Sequence, residues 1–356
     1  MPPKQQKKTQ QSAEVKPSHQ KLINYTLCIP TTIVGPSNAR NLQQATAVLY
    51  QVAKVASIYN VSEIVIMDTF KDPIEEPVNI TEVGKDGKKK IKFDDVEAKT
   101  DAATKTQLEV TEQAMFIATV LQYFVTPPYL IKTIFKQKFF KNFQHAKEYP
   151  KLSTLPFMSQ SVDSKYREGL TVTMGKITKP SKNSKKKSQP LKNTKYVNIG
   201  YDSYLELSGQ QVPTNVRVTV DTEEKKVVSP LEAYKDQTGA KASYGYHVRI
   251  AKTFTSIFTE SAYPDGYTSS IWVNGGDYFH NSKIEMDSFE LKSGVKSANL
   301  LLVVAKWGDV EYAFEQDKKN LEGVSGAKEF FDGEMKIPEG SRVEDAAMIA
   351  LTKLDV

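Results

Sequence analysis

The sequence predicts an α/β protein in which both ends of the chain build one parallel sheet and the middle builds a small antiparallel β-barrel. Three observations predict this class. Residues 24–68 read as a strand, a helix and a second strand, which is a βαβ unit. Residues 168–228 alternate between apolar and polar side chains, which is typical of half-buried antiparallel strands. The strand and helix pattern returns after residue 245.

Length and composition limit the classes of protein that fit. A chain of 356 residues with 39% hydrophobic residues favours two or three domains with real cores. The single cysteine, Cys28, lies in an apolar run, which excludes an internal disulfide and suits a reducing compartment. One cysteine and four histidines argue against a zinc site, so we expect no metal. No apolar run approaches the roughly 18 residues of a membrane span, so we expect a soluble intracellular protein without membrane contact.

The N-terminal part of the α/β domain is assigned to residues 22–160. It follows a disordered basic tail, residues 1–21, which could contact RNA, carry a nuclear address or only aid solubility. It is interrupted by a charged, exposed insertion at residues 70–110. The net charge of +6 favours a polyanionic partner, for which nucleic acid is the default.

Two helices are predicted between the insertion and the barrel. Thr111 caps the first, and Pro127-Pro128 stops it. The second runs from Tyr129 to about His145 and interleaves phenylalanines with lysines. Such a pattern can grip an RNA backbone while bases stack on the rings. The alternative, with the rings in the core and the lysines in water, is the preferred interpretation.

The inserted antiparallel barrel is assigned to residues 161–240. Its outstanding feature is the segment 176–192, which is long and almost purely cationic. Lysines that neutralise phosphates release counterions, so this segment is predicted to be a nonspecific RNA clamp, with a solvated loop as the alternative. The predicted RNA-binding lysines are Lys179, Lys182, Lys185, Lys186, Lys187 and Lys192.

The C-terminal part of the α/β domain is assigned to residues 241–356. The apolar run that begins at Asn299 predicts a buried strand ending in a turn at Trp307-Gly308. Ser341 and Glu344 have the spacing of a capping box, which predicts the start of the last helix. Glycine-bearing loops at strand ends are where an α/β sheet holds a ligand. An ordinary strand and a capped helix without a ligand remain the alternative.

Four stretches, in this order and spacing, resemble the SPOUT-class (α/β-knot) RNA methyltransferases that carry an inserted OB-like domain, an archaeal and eukaryotic family linked to uridine methylation of 28S rRNA. The first is the opening strand and helix with Glu63–Asp68. The others are Leu121–Tyr123 with Pro128–Leu130; Tyr166–Gly169 with Val197–Gly200 and Val216–Val220; and Gly245–Ala251 through Phe258 and Asp265–Tyr267 to Gly340–Arg342.

The resemblance implies a trefoil-knotted parallel sheet with S-adenosylmethionine in the knot. The knot loops would be Ser270–Gly276, Ala305–Asp309 and Ile337–Ala346. The residues implied to bind the cofactor are Asn274, Gly275, Ala305, Trp307, Gly308, Ile337, Gly340, Ser341 and Ala346. The methyl group would pass by direct displacement to a base nitrogen of ribosomal RNA, uridine N3 being the implied target. Arg249 and Arg342 are the implied catalytic residues, which hold RNA or stabilise charge, and a structural ion pair is the alternative for either.

The resemblance also implies a dimer, either a homodimer or a heterodimer with a paralogue, and a place in the nucleus and nucleolus during large-subunit biogenesis. Departures of the knot loops from the family pattern keep a second function open. The first loop reads Trp272-Val-Asn-Gly-Gly-Asp277, and Lys306-Trp307 precedes a single Gly308, so Trp307 could narrow the adenosine pocket. The alternative is a catalytically inactive RNA-binding assembly factor, alone or paired with an active paralogue. A plain OB-type RNA-binding protein on an α/β platform is the third hypothesis.

Overall fold

The computed structural model describes residues 22–69, 82–83, 89–90, 110–158, 165–173, 193–230, 232–233, 245–276, 284–291, 295 and 297–355. The predicted tail at 1–21, most of the insertion at 70–110 and the cationic segment at 176–192 lie outside the described residues. All six lysines that were predicted to form the RNA clamp belong to that cationic segment, so they stay a prediction.

The described strands are, in chain order, β1 (Leu22–Pro30), β2 (Glu63–Met67), β3 (Glu82–Val83), β4 (Lys89–Lys90), β5 (Tyr166–Thr171), β6 (Asn193–Thr194), β7 (Tyr196–Asn198), β8 (Leu205–Glu206), β9 (Val212–Pro213), β10 (Arg217–Asp221), β11 (Lys226–Val228), β12 (His247–Ala251), β13 (Ser269–Asn274), β14 (Ser297–Ala305) and β15 (Gly333–Glu334). The described α-helices are α1 (Leu42–Ile58), α2 (Glu112–Phe124), α3 (Ile131–Ile134), α4 (Phe254–Thr259), α5 (Trp307–Asp317) and α6 (Val343–Asp355).

A parallel sheet built from both ends of the chain is the centre of the molecule. Its six strands run in the order β12-β2-β1-β14-β13-β15, and the neighbouring strands pair in parallel. Cys28 of β1 pairs with Val65 of β2 on one side and with Val303 of β14 on the other. The predicted α/β class, with both chain ends in one parallel sheet, is therefore confirmed.

Both faces of the parallel sheet are covered, which explains why its strands read as continuous apolar runs. Successive residues of a strand point to opposite faces. In β14, Leu300, Leu302 and Val304 join the cluster that includes buried residues of α1, α2 and α6. Leu301, Val303 and Ala305 join the cluster that includes buried residues of α4 and α5.

The middle of the chain forms a curled antiparallel sheet with the strand order β11-β10-β5-β7-β8, beside a separate β6-β9 pair. All of these strands lie within the predicted range 161–240. Buried aliphatic residues form a small core for them: Val197, Ile199, Leu207, Val218 and Val220. Arg217 links this sheet to the α/β part, because it pairs with the buried Glu168 at 3.1 Å and donates to the carbonyl of Val125 at 2.7 Å.

The helix predicted from Tyr129 to His145 is not continuous. The structure has a single α-turn, Ile131–Ile134, followed by a 3-10 segment, Gln137–Phe143, with Phe135 in an extended conformation between them. Aromatic packing explains the break, since Phe143 stacks against Tyr123 at a centroid distance of 4.6 Å. Tertiary packing of the rings therefore overrides the local helical pattern.

The predicted turn at Trp307-Gly308 is instead the start of helix α5. Asp309 in the first turn favours the helix, because its charge complements the helix dipole. Val310, Ala313 and Phe314 are buried at helical spacing, and this spacing is the sequence signal from which the helix could have been predicted. Thr111, by contrast, is confirmed as a cap, since its hydroxyl accepts from the amide of Ala114 at 3.1 Å. No helix in the described part of the chain is both long and apolar enough to cross a bilayer.

Candidate functional site

Three loops meet at the carboxyl edge of the parallel sheet. Strands β14, β13 and β15 are neighbours and parallel, so the segments that follow them leave the same edge. Asn274 and Ala305, the last residues of β13 and β14, pair in register. The carboxyl edge of a parallel sheet is the usual place for a ligand in this class of fold. The structure thus brings together the three loops that the resemblance marked.

Short contacts join the first loop to the other two. The amide of Gly275 donates to the carbonyl of Ala305 at 3.3 Å, and the Trp272 indole N–H donates to the same carbonyl at 3.0 Å. A Cβ at position 275 would lie 2.9 Å from Cγ2 of Val343, the first residue of α6. Glycine is therefore needed where the first loop packs on the helix that follows the third.

The third loop has a left-handed residue, Gly340, with φ of 83°. The hydroxyl of Ser341 donates to the carbonyl of Pro338 at 2.7 Å, which closes the turn before the helix. Helix α6 begins at Val343, and the carbonyl of Arg342 accepts from the amide of Ala346 at 2.7 Å. The capping box predicted for Ser341 therefore differs from the structure, because the turn through Gly340 directs the Ser341 hydroxyl toward the preceding carbonyl of Pro338.

A fourth loop, residues 31–40 after β1, belongs to the same edge and was missed by the sequence analysis. The Arg342 guanidinium donates to the Asn38 side-chain oxygen at 3.1 Å and to its carbonyl at 3.3 Å. Asn38 donates to the carbonyl of Thr32 at 3.0 Å, and the hydroxyl of Thr32 donates to Asp309 at 2.7 Å. This chain of polar contacts ties the second loop to the third. Only the strand order could have revealed this loop, because the parallel pairing of β1 with β14 brings the ends of both strands to the same edge of the sheet.

Glu344 lies in the first turn of α6, two residues after Arg342, and is half-buried. Burial raises the pKa of its carboxyl above the ordinary value, Arg342 opposes this rise, and Asp345 adds to it. A half-buried carboxyl with a raised pKa beside an arginine is a candidate for proton transfer. From the sequence, Glu344 was predicted only as part of a cap, and its burial beside Arg342 was missed.

Trp307 does not face the third loop. Its indole is buried in the cluster beneath α4 and α5, 5.3 Å from the ring of Trp272, and donates to Glu311 at 2.6 Å. Val343 and Ala346, by contrast, belong to the cluster on the opposite face of the sheet. The contacts therefore do not support the expectation that the indole narrows a pocket beside Gly340. The backbone of Trp307 begins helix α5, directly after Ala305 and Lys306 at the end of β14.

Arg249 lies far from the loops, in the edge strand β12. Its guanidinium contacts Glu63 at 2.9 Å and donates to the carbonyls of Ser256 and Ile257 at 2.8 and 3.3 Å. Its register neighbours lead across β2, β1 and β14 to Trp272, four strands away. At about 4.8 Å per strand the separation is about 19 Å. These contacts favour the structural ion pair over a role beside the loops.

The remaining predicted residues also have defined places. Gly308 is exposed at the start of α5, Ile337 is half-buried against the first cluster, and Ala346 is fully buried in α6. In the described part of the chain no group of three or more histidines, cysteines, aspartates or glutamates is placed to hold a metal ion.

Comparisons with known proteins identify the family to which the chain belongs. A family model described as "Putative RNA methyltransferase" matches residues 24–354. Two proteins of Saccharomyces cerevisiae, each named "Putative methyltransferase", are 41% and 33% identical over 93% of this chain, and the matches cover 93% and 87% of those proteins. The 28S rRNA (uridine-N(3))-methyltransferase of Drosophila melanogaster is 26% identical over 92% of this chain and 61% of its own length. The chain therefore belongs to this SPOUT-like family of RNA methyltransferases.

Proposed function

We propose that this protein is an S-adenosylmethionine-dependent methyltransferase that modifies uridine N3 in ribosomal RNA. The observation that carries the proposal is the meeting of the three loops at the carboxyl ends of β13, β14 and β15. Membership of the family supports it, and so do the names of its relatives in Drosophila melanogaster, Homo sapiens and Mus musculus, each a 28S rRNA (uridine-N(3))-methyltransferase. We propose that this part of the sheet forms a trefoil knot.

The residues at the loops fit the proposed cofactor. Gly308 and Gly340 are both exposed, and a Cβ at position 308 would meet nothing within 4 Å. Exposed glycines allow a ligand to approach the backbone closely, which suits recognition of an adenine edge and an amino-acid moiety. We propose that the backbone of Asn274, Gly275, Ala305 and Trp307 forms the inner wall, and that Ile337, Gly340, Ser341 and Ala346 form the outer one.

When bound, S-adenosylmethionine supplies a methyl group on a sulfonium sulfur for direct displacement by a base nitrogen. Arg342 is placed to hold the RNA and to stabilise charge that develops on the base, since Asn38 fixes its guanidinium. Uridine N3 carries a proton that must leave as the nitrogen attacks. We assign acceptance of that proton to the Glu344 carboxylate.

Glu344→Gln is expected to lower the rate of methyl transfer by about 100-fold, in the range of lost general-base catalysis. Because the pKa of Glu344 is raised, its ionised fraction falls as pH falls toward that pKa. The wild-type rate should therefore decline on the acid side, and the variant should lack this decline. Single-turnover rates measured across pH check both points.

The matched control is Asp345→Asn, which removes the exposed neighbouring carboxylate. Removing this negative charge should lower the pKa of Glu344 and move the acid limb to lower pH without abolishing transfer. A Glu344→Gln protein with the wild-type rate and pH profile would exclude Glu344 as the base.

We further propose that residues 161–240 form an inserted RNA-binding domain with an OB-like barrel, and that residues 22–160 and 241–356 together form the knotted domain. The cofactor pocket would be completed in a dimer, with a second copy or a paralogue. Modification of 28S rRNA would place the protein in the nucleolus during large-subunit biogenesis.

Calorimetry with S-adenosylmethionine tests the proposed function directly, and methyl transfer to an RNA fragment containing the target uridine tests the reaction. We expect saturable binding and a methyl group at N3, located by mass spectrometry of the digested RNA. RNA binding without any binding of S-adenosylmethionine would replace this proposal with the inactive assembly factor. The departures in the loops motivate that second candidate.

A further inference from the structure

A three-layer stack lies at the seam between the antiparallel sheet and the α/β part. The Arg167 guanidinium sits 4.4 Å from the ring centre of Tyr129 and 4.3 Å from that of Tyr201. Tyr129 is mostly packed, whereas Tyr201 is 60% exposed and Tyr204, in the same turn, is 49% exposed. In the described part of the chain these tyrosines are the two most exposed large hydrophobic side chains.

The outer ring of the stack is held in place by its surroundings. Arg167 donates to the carbonyl of Ile199 at 2.7 Å and to the Tyr201 hydroxyl at 3.1 Å. Gly200 has φ of 81°, and a Cβ there would lie 2.3 Å from the Tyr129 ring. Only glycine therefore allows the turn that places Tyr201 on Arg167. A fixed aromatic face that remains exposed is preorganised for a flat partner, since little conformational entropy is lost on binding.

The chain segment that begins with the inner ring of the stack is strongly basic. We define the lysine segment as residues 129–147, which contain five lysines and no aspartate or glutamate. All five lysines are exposed: Lys132, Lys136, Lys138, Lys141 and Lys147. The segment begins at Tyr129, the inner ring of the stack, and its Thr133 accepts from the Asn198 side chain at 3.3 Å. In the sequence, the exposed Lys132 therefore lies between Tyr129, which packs on Arg167, and Thr133, which contacts Asn198.

The lysine segment adds a third exposed ring, Phe140, while Phe135 and Phe143 are buried. The structure thus separates the aromatic residues into those that build the core and those that face solvent among the lysines. An exposed ring with cationic neighbours fits the two chemical features of single-stranded RNA, which are flat bases and a phosphate backbone. A protein partner with an apolar surface fits this seam less well, because the lysines would have to be desolvated.

We propose that Tyr201, Tyr204 and the lysine segment form a surface that binds single-stranded RNA outside the methyl-transfer site. A base stacks on the free face of Tyr201, and the lysines follow the phosphates. This inference deepens the proposed function. It rests on that function only in taking the bound polyanion to be RNA. It also changes the interpretation of the lysine segment, whose lysines were expected to be merely solvated.

Tyr201→Ala should weaken binding of a labelled single-stranded oligouridine by about 5- to 150-fold, the loss expected for one base–aromatic stack. Tyr201→Trp should restore the affinity, and Tyr201→Phe should keep most of it, because both preserve the aromatic face. Asp202→Asn should tighten binding, since Asp202 is the carboxylate of the turn 201–204. Fluorescence anisotropy of the full chain measures each affinity, and thermal unfolding checks that the variants are folded.

Lys132→Glu and Lys136→Glu should reduce the dependence of affinity on salt, by about 0.7 in the logarithmic slope for each lost phosphate contact. The same oligonucleotide in a duplex should bind with no effect of Tyr201→Ala. Equal affinities of wild type and a folded Tyr201→Ala protein for the single strand would overturn the proposal, and so would a change of oligomeric state caused by that variant. Binding of S-adenosylmethionine should be the same in all these variants, so a failure of the cofactor site would be recognised separately.

Discussion

Gly340→Ala is expected to weaken S-adenosylmethionine binding by at least about tenfold, equivalent to about 1.4 kcal/mol, while the protein remains folded. Gly340 has φ of 83°, a left-handed conformation that costs an L-residue about 1–2 kcal/mol. The strain is relieved only if the third loop moves, and that loop carries Ser341 and Arg342. Calorimetry of the purified variant gives the affinity, and urea unfolding gives the change in stability.

Gly323→Ala is the matched control for this substitution. Gly323 has φ of 86°, and a Cβ there would meet nothing within 4 Å, so the backbone strain is the same without a steric clash. It lies between Leu321 and Val324, which belong to the cluster on the opposite face of the sheet from α6. We expect a similar loss of stability and an unchanged affinity for the cofactor. Equal affinities of the two variants would show that the third loop does not hold S-adenosylmethionine.

Arg249→Ala is expected to destabilise the protein by about 3–5 kcal/mol, because it leaves the buried carboxylate of Glu63 without its partner. The carbonyls of Ser256 and Ile257 in α4 also lose the hydrogen bonds that they accept from Arg249. Equilibrium unfolding in urea, followed by circular dichroism, measures this loss. Little activity should remain, because the folded fraction is small.

The double variant Glu63→Leu/Arg249→Met separates a structural role from a catalytic one. Replacing both members of a buried ion pair by apolar residues is often neutral, so part of the stability should return, and methyl transfer with it. Arg342→Ala should behave in the opposite way, with methyl transfer lowered by about 100-fold and stability lowered by about 1 kcal/mol. A stable but inactive double variant would instead make Arg249 the catalytic arginine.

Much of the fold could be predicted because it depends on local patterns. The run from Asn299 to Ala305 is apolar on both faces, and a strand with that pattern must be covered on both sides. Thr111 caps its helix as predicted, since a cap needs only a hydroxyl and a neighbouring amide. The segment 129–147 resisted prediction because distant rings decide its backbone. Tyr123 and Phe143 stack although they are separated by many residues in the chain.

The candidate site shows the same division between local and distant causes. The glycine-bearing loops could be found from the sequence, because glycine after a strand marks a turn whether or not its partners are known. The roles of Arg249 and Arg342 could not be predicted, because the sequence does not show which groups each guanidinium contacts. Only the pairing of β12 with β2 places Arg249 against Glu63, and only the end of β1 beside β14 brings Asn38 to Arg342.

The sequence by itself determined the α/β class, the longer strands of the parallel sheet, several helices and the glycine-bearing loops at strand ends, because apolar periodicity and turn residues act over a few neighbouring positions. The tertiary structure decided which side chains face those loops. The Trp307 indole lies in the core, Arg342 contacts Asn38, and Tyr201 is exposed beside the lysine segment. These outcomes depend on strand order and on packing between residues far apart in the chain, which no local pattern encodes.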